Sequence, residues 1–497
     1  MDKTTLAYWQ EKAAALAIEG RAFIGGEYRP AESGRTFDCV SPIDGKVLAQ
    51  VADCGEAEVN AAVSAARRAF EGGVWSGLNP RQRKAKLLKW AALMREHLDE
   101  LALLETLDAG KPIGDTTSVD VPGAVYCVEW FAEAIDKVGG EVVPADHHLV
   151  GLVTREPLGV VAAVVPWNFP ILMASWKFGP ALAAGNSVVL KPSEKSPLSA
   201  IRVAQLALEA GIPAGVFNVV PGGGEAGKLL ALHRDVDCLA FTGSTNVGKL
   251  IMQYAGQSNL KRVWLELGGK SPNIVLPDCP DLDRAAKTAA GAIFYNMGEM
   301  CTAGSRLLVH RDIKDVFLDK LVEAARGYIP GNPLDPNTSM GAIVDQLQLD
   351  RVLAYIEAGR AEAKLLHGGS RVQQESGGFY IEPTVFDVSQ HNAKIAREEI
   401  FGPVLSVITF DSIDEAVKIA NDSDYGLAAA VWTANLTTAH EVARRLRAGT
   451  VWVNCYDEGG DMNFPFGGYR QSGNGRDKSL HALEKYTELK STLVRLR

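Results

Sequence analysis

The sequence has few of the residues that build disulfide frameworks or metal centres. Only seven of the 497 residues are cysteine and nine are histidine. No two cysteines stand in a Cys-x-x-Cys arrangement, and no histidine cluster accompanies them. An odd number of scattered cysteines argues against a disulfide-stabilised secreted fold and against a zinc site. We therefore expect a protein of the reducing cytoplasm that holds no metal ion.

The chain also lacks long apolar stretches and an excess of basic residues. No apolar run reaches the roughly 18–20 residues of a membrane span, and the first residues contain no apolar segment of a signal peptide. The formal net charge is -9, whereas a nucleic-acid-binding protein generally presents a basic face. The sequence thus predicts neither a membrane nor a nucleic-acid partner.

Short apolar runs alternate regularly with segments of helical periodicity. Residues 159–165 are small or β-branched and apolar, which is typical of a strand buried on both faces. Similar runs at 187–190, 216–220, 238–241 and 262–266 are separated by helical segments. This alternation predicts an α/β fold with a Rossmann-like, doubly wound parallel sheet.

A second alternating series follows Gly268 and Gly269 and predicts a second α/β domain. The strand-like C-terminal segment lies beyond it and needs a strand edge to pair with. The predicted organisation is a dinucleotide-binding domain of residues 1–138 and 156–266, a second α/β domain of residues 267–468, and a small β element of residues 139–155 and 480–497.

Residues 294–306 have the composition expected around a reactive cysteine. Cys301 stands between a helical run and a strand, after Gly298, which lets the backbone turn sharply, and before small residues. A thiolate is a strong nucleophile when its pKa is lowered. Taken alone, a small buried cysteine without a catalytic role is the commoner explanation.

Two further polar residues stand at positions suited to catalysis. Asn168 lies in a turn between two prolines, at the carboxyl end of the first buried strand, where a fixed amide can donate to an oxyanion. Glu266 lies among apolar residues, where loss of water raises the pKa of a carboxyl group toward that of a general base. The simpler explanations are a turn-forming asparagine and a carboxylate buried with a hydrogen-bond partner.

Two motifs at strand ends indicate a dinucleotide. Glu194 is placed to accept hydrogen bonds from the adenosine ribose, which Lys191 can share. A carboxylate there would repel a 2′-phosphate, so NAD is favoured over NADP; a solvated charge pair is the alternative explanation. Gly243 and Ser244 enter a helix, where small residues let backbone N–H groups bind phosphate. The G-x-G-x-x-G fingerprint is absent after the first strand.

Together these motifs resemble those of the aldehyde dehydrogenase superfamily over essentially the whole chain. The resemblance includes Leu-Glu-Leu-Gly-Gly-Lys-Ser-Pro at 265–272, Gly-Glu-Met-Cys-Thr-Ala-Gly-Ser-Arg at 298–306, Glu-Ile-Phe-Gly-Pro at 399–403 and Asn-Phe-Pro-Phe-Gly-Gly at 463–468. Two departures are Glu299, where many members have glutamine, and the acidic segment after Asp457. The second departure bears on the substrate and not on the reaction.

The resemblance implies NAD-dependent oxidation of an aldehyde through a cysteine thioester. Cys301 would attack the aldehyde carbon, Asn168 would hold the oxyanion with the Cys301 N–H, and Glu266 would activate water. NAD would be held by Trp167, Lys191, Glu194, Gly243, Ser244, Glu399 and Phe401. Family members are homodimers or homotetramers that pair the C-terminal strand with a partner, so residues 139–155 and 480–497 are the expected oligomerisation element, and residues 267–468 the expected catalytic domain.

The resemblance also implies an aromatic substrate tunnel with an acidic mouth, formed in part by residues 456–464. Its expected substrate residues are Asp120, Phe169, Trp176, Asp457, Glu458, Asp461 and Phe464. Aromatic walls suit an alkyl chain, and a ring of carboxylates suits a distal cation. The expected substrate is an ω-amino- or ω-guanidino-aldehyde of polyamine or arginine breakdown, as in the bacterial group acting on γ-glutamyl-γ-aminobutyraldehyde and 4-guanidinobutyraldehyde. A broad aliphatic or betaine-type enzyme with incidental acidic loops is the alternative.

Three other functions agree less well with these residues. A coenzyme A-acylating dehydrogenase of this superfamily generally lacks a base at the Glu266 position. A structural role, as some family members have in the eye lens, is disfavoured by the intact Cys301, Glu266 and Asn168. A cysteine hydrolase needs a histidine partner, and none of the nine histidines lies in the motifs.

Overall fold

The computed structural model describes residues 3–458 and 461–497, so Gly459 and Gly460 of the predicted substrate loop lie outside the described residues. The strands are β1 (Ala22–Ile24), β2 (Glu27–Arg29), β3 (Thr36–Val40), β4 (Val47–Ala52), β5 (Glu141–Val143), β6 (Leu149–Pro157), β7 (Val160–Val164), β8 (Ser187–Lys191), β9 (Phe217–Val219), β10 (Cys238–Thr242), β11 (Arg262–Glu266), β12 (Pro272–Val275), β13 (Arg306–His310), β14 (Lys364–His367), β15 (Arg371–Val372), β16 (Tyr380–Ile381), β17 (Thr384–Val388), β18 (Val404–Phe410), β19 (Ala428–Trp432), β20 (Thr450–Val453), β21 (Gly473–Asn474) and β22 (Thr487–Arg495).

Helices separate most of these strands. They are α1 (Leu6–Ala14), α2 (Glu56–Glu71), α3 (Pro80–Glu96), α4 (Leu98–Ala109), α5 (Ile113–Asp115), α6 (Val121–Ala134), α7 (Pro170–Ala184), α8 (Leu198–Glu209), α9 (Gly224–Leu232), α10 (Thr245–Gln257), α11 (Leu282–Phe294), α12 (Lys314–Arg326), α13 (Gln346–Glu362), α14 (Lys394–Arg397), α15 (Ile413–Asn421), α16 (Leu436–Arg445) and α17 (His481–Glu484). A π-helical turn, Thr116–Asp120, joins α5 to α6. Among the described residues, none of these helices has the length and apolar character of a membrane span.

The first sheet has the strand order β2-β1-β9-β8-β7-β10-β11-β21. Its strands β7 to β11 are parallel and lie in the order 3-2-1-4-5 of a Rossmann sheet. Alternate residues of β7 enter two apolar clusters: Val161 and Ala163 pack with α3, α6, α7 and α8, and Val160 and Ala162 pack with α2, α9 and α10. The apolar run predicted to be buried on both faces therefore lies between two helical layers.

The reversal of strand order in this sheet marks the expected ligand crevice. The order reverses between β7 and β10, and ligands of such sheets bind at the carboxyl ends of the strands that flank this point. The loop after β7 carries Asn168, and the loop after β10 carries Gly243 and Ser244. Residues that are far apart in the sequence are thus brought to the same edge.

The second sheet has the order β14-β17-β18-β13-β12-β19-β20, in which only β14 is antiparallel. The segment between α11 and β13 carries Cys301, so the cysteine lies at the amino-terminal end of β13. The predicted fold class, an α/β protein with a Rossmann-type sheet and a second α/β sheet, is confirmed. The domain bounds given above stay a prediction.

The C-terminal segment forms β22, which pairs antiparallel with β6 from Thr487–Pro157 to Arg495–Leu149. This strand edge lies in the segment named from the sequence, and β5 extends it into a three-stranded sheet. The sheet exposes apolar side chains, among them Val142, Leu489 and Leu493. The short strand β21, which the sequence did not predict, closes the first sheet by pairing antiparallel with β11.

Candidate active site

Cys301 stands on a loop whose path depends on left-handed backbone conformations. Helix α11 ends at Phe294 and does not continue toward Cys301, because Asn296 and Met297 have φ of 48° and 55°. Gly298 follows with φ of 72°, and a Cβ there would come 2.3 Å from the carbonyl oxygen of Gly402. Only glycine fits this position, and the resulting turn presents Cys301 before β13 begins.

The Cys301 residue is half-buried, and acidic groups act on its thiol. Burial raises its pKa, and the charges of Glu399, Glu266 and Asp457 raise it further. The raised pKa disfavours the thiolate. A cationic group bound beside it would lower its pKa and favour the nucleophilic thiolate.

The side chain of Asn168 is fixed against the cysteine loop. Its Nδ2 donates a hydrogen bond of 2.8 Å to the carbonyl oxygen of Glu299, two residues before Cys301. The Nδ2 of Asn296 donates to the carbonyl oxygens of both Asn168 and Glu299, at 3.2 Å each. An amide NH₂ has two hydrogens, so one N–H of Asn168 is free to donate to a ligand. This arrangement fits an oxyanion donor better than a simple turn-forming asparagine.

Glu266 ends β11 and is only 4% exposed. Neither of its carboxylate oxygens has a hydrogen-bond partner among the described residues. Burial raises its pKa well above the ordinary value and the charge of Asp477 raises it further, against the effect of Lys177 and Lys485. The alternative of a carboxylate buried with a partner does not hold. An unpartnered carboxylate with a raised pKa has the properties of a general base.

The segment of Glu399 and Phe401 packs on the turn after β11. The Gly269 N–H donates to the Glu399 carboxylate at 2.9 Å, and a Cβ on Gly268 would come 2.0 Å from that carboxylate. Burial raises the pKa of Glu399 to about 7. Phe401 has a φ of 60°, and its ring meets the ring of Trp167 edge-on at 5.2 Å. Three of the predicted NAD-binding residues thus lie in one region.

The other predicted NAD-binding residues lie at strand ends of the first sheet. The Nζ of Lys191 is 3.2 Å from the carboxylate of Glu194, and burial lowers the pKa of the lysine. The Ser244 hydroxyl caps α10, which begins at the crevice. The Gly243 N–H donates to the Glu266 carbonyl oxygen at 3.1 Å, so a phosphate would be bound by the N–H groups that follow it.

A cavity of about 890 Å³ opens beside Cys301. Five of the predicted substrate residues line it: Phe169, Trp176, Asp457, Glu458 and Phe464. The remaining lining residues, besides Cys301 itself, are Val119, Gly123, Tyr126, Leu172, Met173, Tyr295, Met300, Thr302, Gly449, Thr450, Val451, Trp452, Cys455, Met462, Pro465, Phe466 and Lys478. The wall is mostly apolar and aromatic, and its charged residues are few.

The structure corrects the prediction of an acidic ring at the cavity mouth. Asp120 lies away from the opening: it is fully buried and forms an ion pair of 2.8 Å with Lys111. A buried carboxylate needs such a partner to offset the loss of water. Asp461 does not line the cavity but accepts a hydrogen bond of 3.4 Å from the hydroxyl of Tyr126, which does. Lys478 adds a positive group to the same wall.

Three residues of this region were missed by sequence reasoning: Lys111, Tyr295 and Lys478. The Tyr295 hydroxyl is buried without a hydrogen-bond partner among the described residues. The Lys478 ammonium lies 5.4 Å from the centre of the Trp176 ring and is mostly buried. The only signal in the sequence that could have indicated one of them was its position: Tyr295 belongs to the segment around Cys301.

Comparison with known proteins identifies the family of this site. The aldehyde dehydrogenase family model matches residues 28–492. The chain belongs to the aldehyde dehydrogenase family. The family and the enzyme class predicted from the motifs are thereby confirmed. Among residues 3–458 and 461–497 of this aldehyde dehydrogenase, no group of three or more His, Cys, Asp or Glu side chains is arranged to hold a metal ion.

Relatives of this aldehyde dehydrogenase cover nearly its whole length. The NADP/NAD-dependent aldehyde dehydrogenase PuuC of Escherichia coli K12 is 55% identical over 492 residues, which are 99% of each chain. The structure of γ-glutamyl-γ-aminobutyraldehyde dehydrogenase from Burkholderia cenocepacia J2315 is 85% identical, with a TM-score of 0.98 over 99% of this chain and 100% of that one. The P. syringae indole-3-acetaldehyde dehydrogenase AldA, in complex with NAD⁺ and IAA, is 62% identical, with the same TM-score and coverage.

Proposed function

We propose that this aldehyde dehydrogenase oxidises an ω-amino- or ω-guanidino-aldehyde with NAD, through a thioester on Cys301. The observation that carries the proposal is the arrangement around the cysteine loop. Cys301 lines a cavity large enough for a substrate. The amide of Asn168, with a free N–H, is bound to the loop of this cysteine, and the unpartnered carboxylate of Glu266 is near enough to act on the pKa of its thiol. Each of the three provides one function that the reaction requires.

In the first half-reaction the Cys301 thiol loses its proton to solvent and its sulfur attacks the aldehyde carbon. The Asn168 amide and the Cys301 backbone N–H donate to the oxygen as it becomes negative. NAD, when bound, supplies the acceptor for the hydride that leaves this carbon, and a thioester remains on the sulfur. In the second half-reaction Glu266 takes a proton from water as the water attacks the thioester. The carboxylic acid is released as Glu266 passes this proton to the leaving sulfur, which restores the Cys301 thiol.

The residues at the crevice of the first sheet fit NAD. The capped N-terminus of α10 supplies backbone N–H groups for a phosphate at the point where the strand order reverses. The half-exposed carboxylate of Glu194, beside Lys191, suits ribose hydroxyls and opposes a 2′-phosphate. NAD is therefore the proposed cofactor and NADP the less favoured one. The P. syringae relative was solved in complex with NAD⁺.

The charges of the cavity wall support a substrate with a charged distal end. Asp457 has no ion pair of 4 Å or less among the described residues, whereas Glu458 pairs with Arg284 at 3.2 Å. Asp457 thus suits a distal ammonium or guanidinium group, and Lys478, on the same wall, suits a carboxylate. A γ-glutamyl-γ-aminobutyraldehyde carries both charges at its distal end. The 85% identical relative is named for this aldehyde.

A second candidate substrate is an aromatic acetaldehyde. The cavity wall contains Phe169, Trp176 and Phe464, whose rings suit a flat apolar group. A 62% identical relative is an indole-3-acetaldehyde dehydrogenase. A panel of aldehydes separates the candidates, with amino, guanidino, γ-glutamylamino, neutral, carboxylate and aromatic ends. If a neutral or aromatic aldehyde equals the cationic ones in kcat/KM, the proposed substrate class is wrong.

We further propose a cytoplasmic homodimer or homotetramer. The seven cysteines are all free, which suits a reducing compartment. The sheet of β5, β6 and β22 exposes Val142, Leu489 and Leu493, and an apolar sheet face of this kind is typical of an interface. Light scattering after size exclusion measures the mass, and a monomer would contradict the proposed assembly.

A further inference from the structure

Lys111 is a buried lysine with three partners at the active site. Its side chain is only 1% exposed. The Nζ donates a hydrogen bond of 2.9 Å to the backbone carbonyl of Asn168, lies 2.8 Å from a carboxylate oxygen of Asp120, and lies 3.5 Å from the centre of the Phe169 ring. Two of the three partners are consecutive residues of the loop after β7, which carries the oxyanion donor.

The Asn168 residue is consequently held at both ends. Its backbone carbonyl accepts hydrogen bonds from Lys111 and from the Asn296 amide. Its side-chain amide donates to the Glu299 carbonyl, beside the cysteine. If the bond from Lys111 were removed, the Asn168 carbonyl would keep only the longer hydrogen bond from Asn296, and the direction of the amide would be less defined.

Stability alone does not account for the Lys111–Asp120 pair. A buried lysine and aspartate lose the water that solvates them, and an apolar pair of similar size often stabilises a fold as well or better. Neither carboxylate oxygen of Asp120 has a hydrogen bond of good geometry among the described residues, although one of them lies 2.8 Å from the Lys111 ammonium. An apolar side chain at position 111, however, could not bind the Asn168 carbonyl.

We propose that Lys111, fixed by Asp120, is a positioning residue that keeps the Asn168 amide directed at the substrate oxyanion. The inference rests on the proposed role of Asn168 as the oxyanion donor. Lys111 itself does not line the cavity and acts only through the asparagine. Asp120, which was predicted from the sequence to lie at the cavity mouth, would instead fix Lys111.

A double-mutant cycle tests this proposal. Lys111→Met is introduced into the original enzyme and into the Asn168→Ala variant, and the rate of NADH formation is measured in a single turnover. We expect Lys111→Met to slow the step roughly tenfold in the original enzyme, since a small misplacement of a catalytic group is costly. In the Asn168→Ala variant, where no amide remains to be positioned, the same substitution should change the rate less than about twofold. The Kd for NAD should not change in either background.

Lys314→Met is a matched control, because Lys314 forms an ion pair of 2.9 Å with Asp387 on the second sheet. It should leave the single-turnover rate unchanged. If Lys111→Met slows the step by the same factor in both backgrounds, Lys111 does not act through Asn168 and the proposal is wrong. If Asn168→Ala is as fast as the original enzyme, the proposed role of Asn168 fails and this inference fails with it.

Asp120→Asn keeps the shape of the pair and covers the case in which Lys111→Met does not fold. This substitution leaves Lys111 without its counter-charge. If it slows NADH formation in the original enzyme but not in the Asn168→Ala variant, the proposal is supported. An equal effect in both backgrounds overturns it. Thermal unfolding of each variant separates a general loss of stability from the expected loss of rate.

Discussion

Gly269 lies directly against the backbone of Cys301: a Cβ at Gly269 would come 2.5 Å from the carbonyl oxygen of the cysteine. The N–H of the same glycine donates to the Glu399 carboxylate at 2.9 Å. Gly269 itself stands only three residues after Glu266. The backbone of Cys301 and the carboxylate of Glu399 therefore lie against one tight turn, which follows directly after Glu266.

Replacement of Cys301 by alanine is expected to abolish aldehyde oxidation while NAD still binds. The substitution removes the nucleophile and little else, because alanine fits where cysteine fits. NADH formation measures the reaction, and a fluorescence titration measures NAD binding. Cys279→Ala is the control, because Cys279 is half-buried as well and lies in no proposed site. More than a trace of turnover by Cys301→Ala would show that another group is the nucleophile.

Replacement of Glu266 by glutamine is expected to slow the second half-reaction more than the first. Glutamine cannot accept a proton from water, but it leaves the cysteine and the oxyanion donor in place. Rapid mixing should then show a burst of NADH that is followed by turnover roughly 100-fold slower, as expected for loss of a general base. A missing burst, with hydride transfer alone slowed, would give Glu266 a different role.

The raised pKa of Glu266 also predicts how stability depends on pH. Burial raises its pKa in the folded protein well above the ordinary 4.5, so the fold favours the protonated form. This contribution is fully present below 4.5 and is lost as the pH rises through the folded pKa. Glu266→Gln should therefore unfold at a higher temperature than the original enzyme at alkaline pH. Melting curves of both proteins from acidic to alkaline pH measure the difference in unfolding temperature. A difference that does not change with pH would contradict the raised pKa of Glu266.

Glu194 is expected to set the preference for NAD over NADP. Its carboxylate would repel a 2′-phosphate, so the original enzyme should have the higher kcat/KM with NAD. Glu194→Gln should reduce this preference roughly tenfold, which corresponds to about 1.4 kcal/mol. Glu323→Gln is a matched control, because Glu323 also pairs with a basic residue three positions away, at 3.0 Å. Equal kcat/KM values for both cofactors in the original enzyme would refute the assignment.

Asp457 is expected to favour aldehydes with a distal cation. Asp457→Asn should lower kcat/KM for an ω-aminoaldehyde roughly tenfold, because it removes a charge in a partly desolvated wall, and should leave a neutral aldehyde of equal length unaffected. Asp461→Asn should have a smaller effect, since Asp461 does not line the cavity. Lys478→Met should reduce activity only toward aldehydes with a distal carboxylate. If Asp457→Asn affects the neutral aldehyde equally, the carboxylate does not select the cation.

The sequence predicted those parts of the protein in which a local pattern has a local cause. The apolar run of β7 indicates a strand that is buried on both faces, and the small residues around Cys301 indicate a tight turn. Likewise, the apolar neighbours of Glu266 indicated its burial. In each case the residues that determine the structure stand next to one another in the chain.

The sequence did not predict features that depend on distant partners. Asp120 and Lys111 meet because the π-helical turn Thr116–Asp120 brings the aspartate back toward the lysine and the loop of Asn168. No periodicity indicates such an ion pair. Lys478 has a φ of 60°, a conformation that sequence patterns do not reveal for a lysine. β21 is only two residues long and is defined solely by its pairing with β11.

The pairing of β6 with β22 has a consequence for the order in which the protein can be assembled. Lys490 on β22 forms an ion pair with Glu156 on β6, 334 residues earlier. β21 likewise reaches the ribosome exit long after β11, the strand it covers. Until both segments have been synthesised, a nascent chain exposes two unpaired strand edges, which invite wrong pairing. Formation of such distant contacts is slow, so correct folding of the nascent chain waits for β21 and β22. Chaperones that shield the two open edges until then would raise the yield of folded protein.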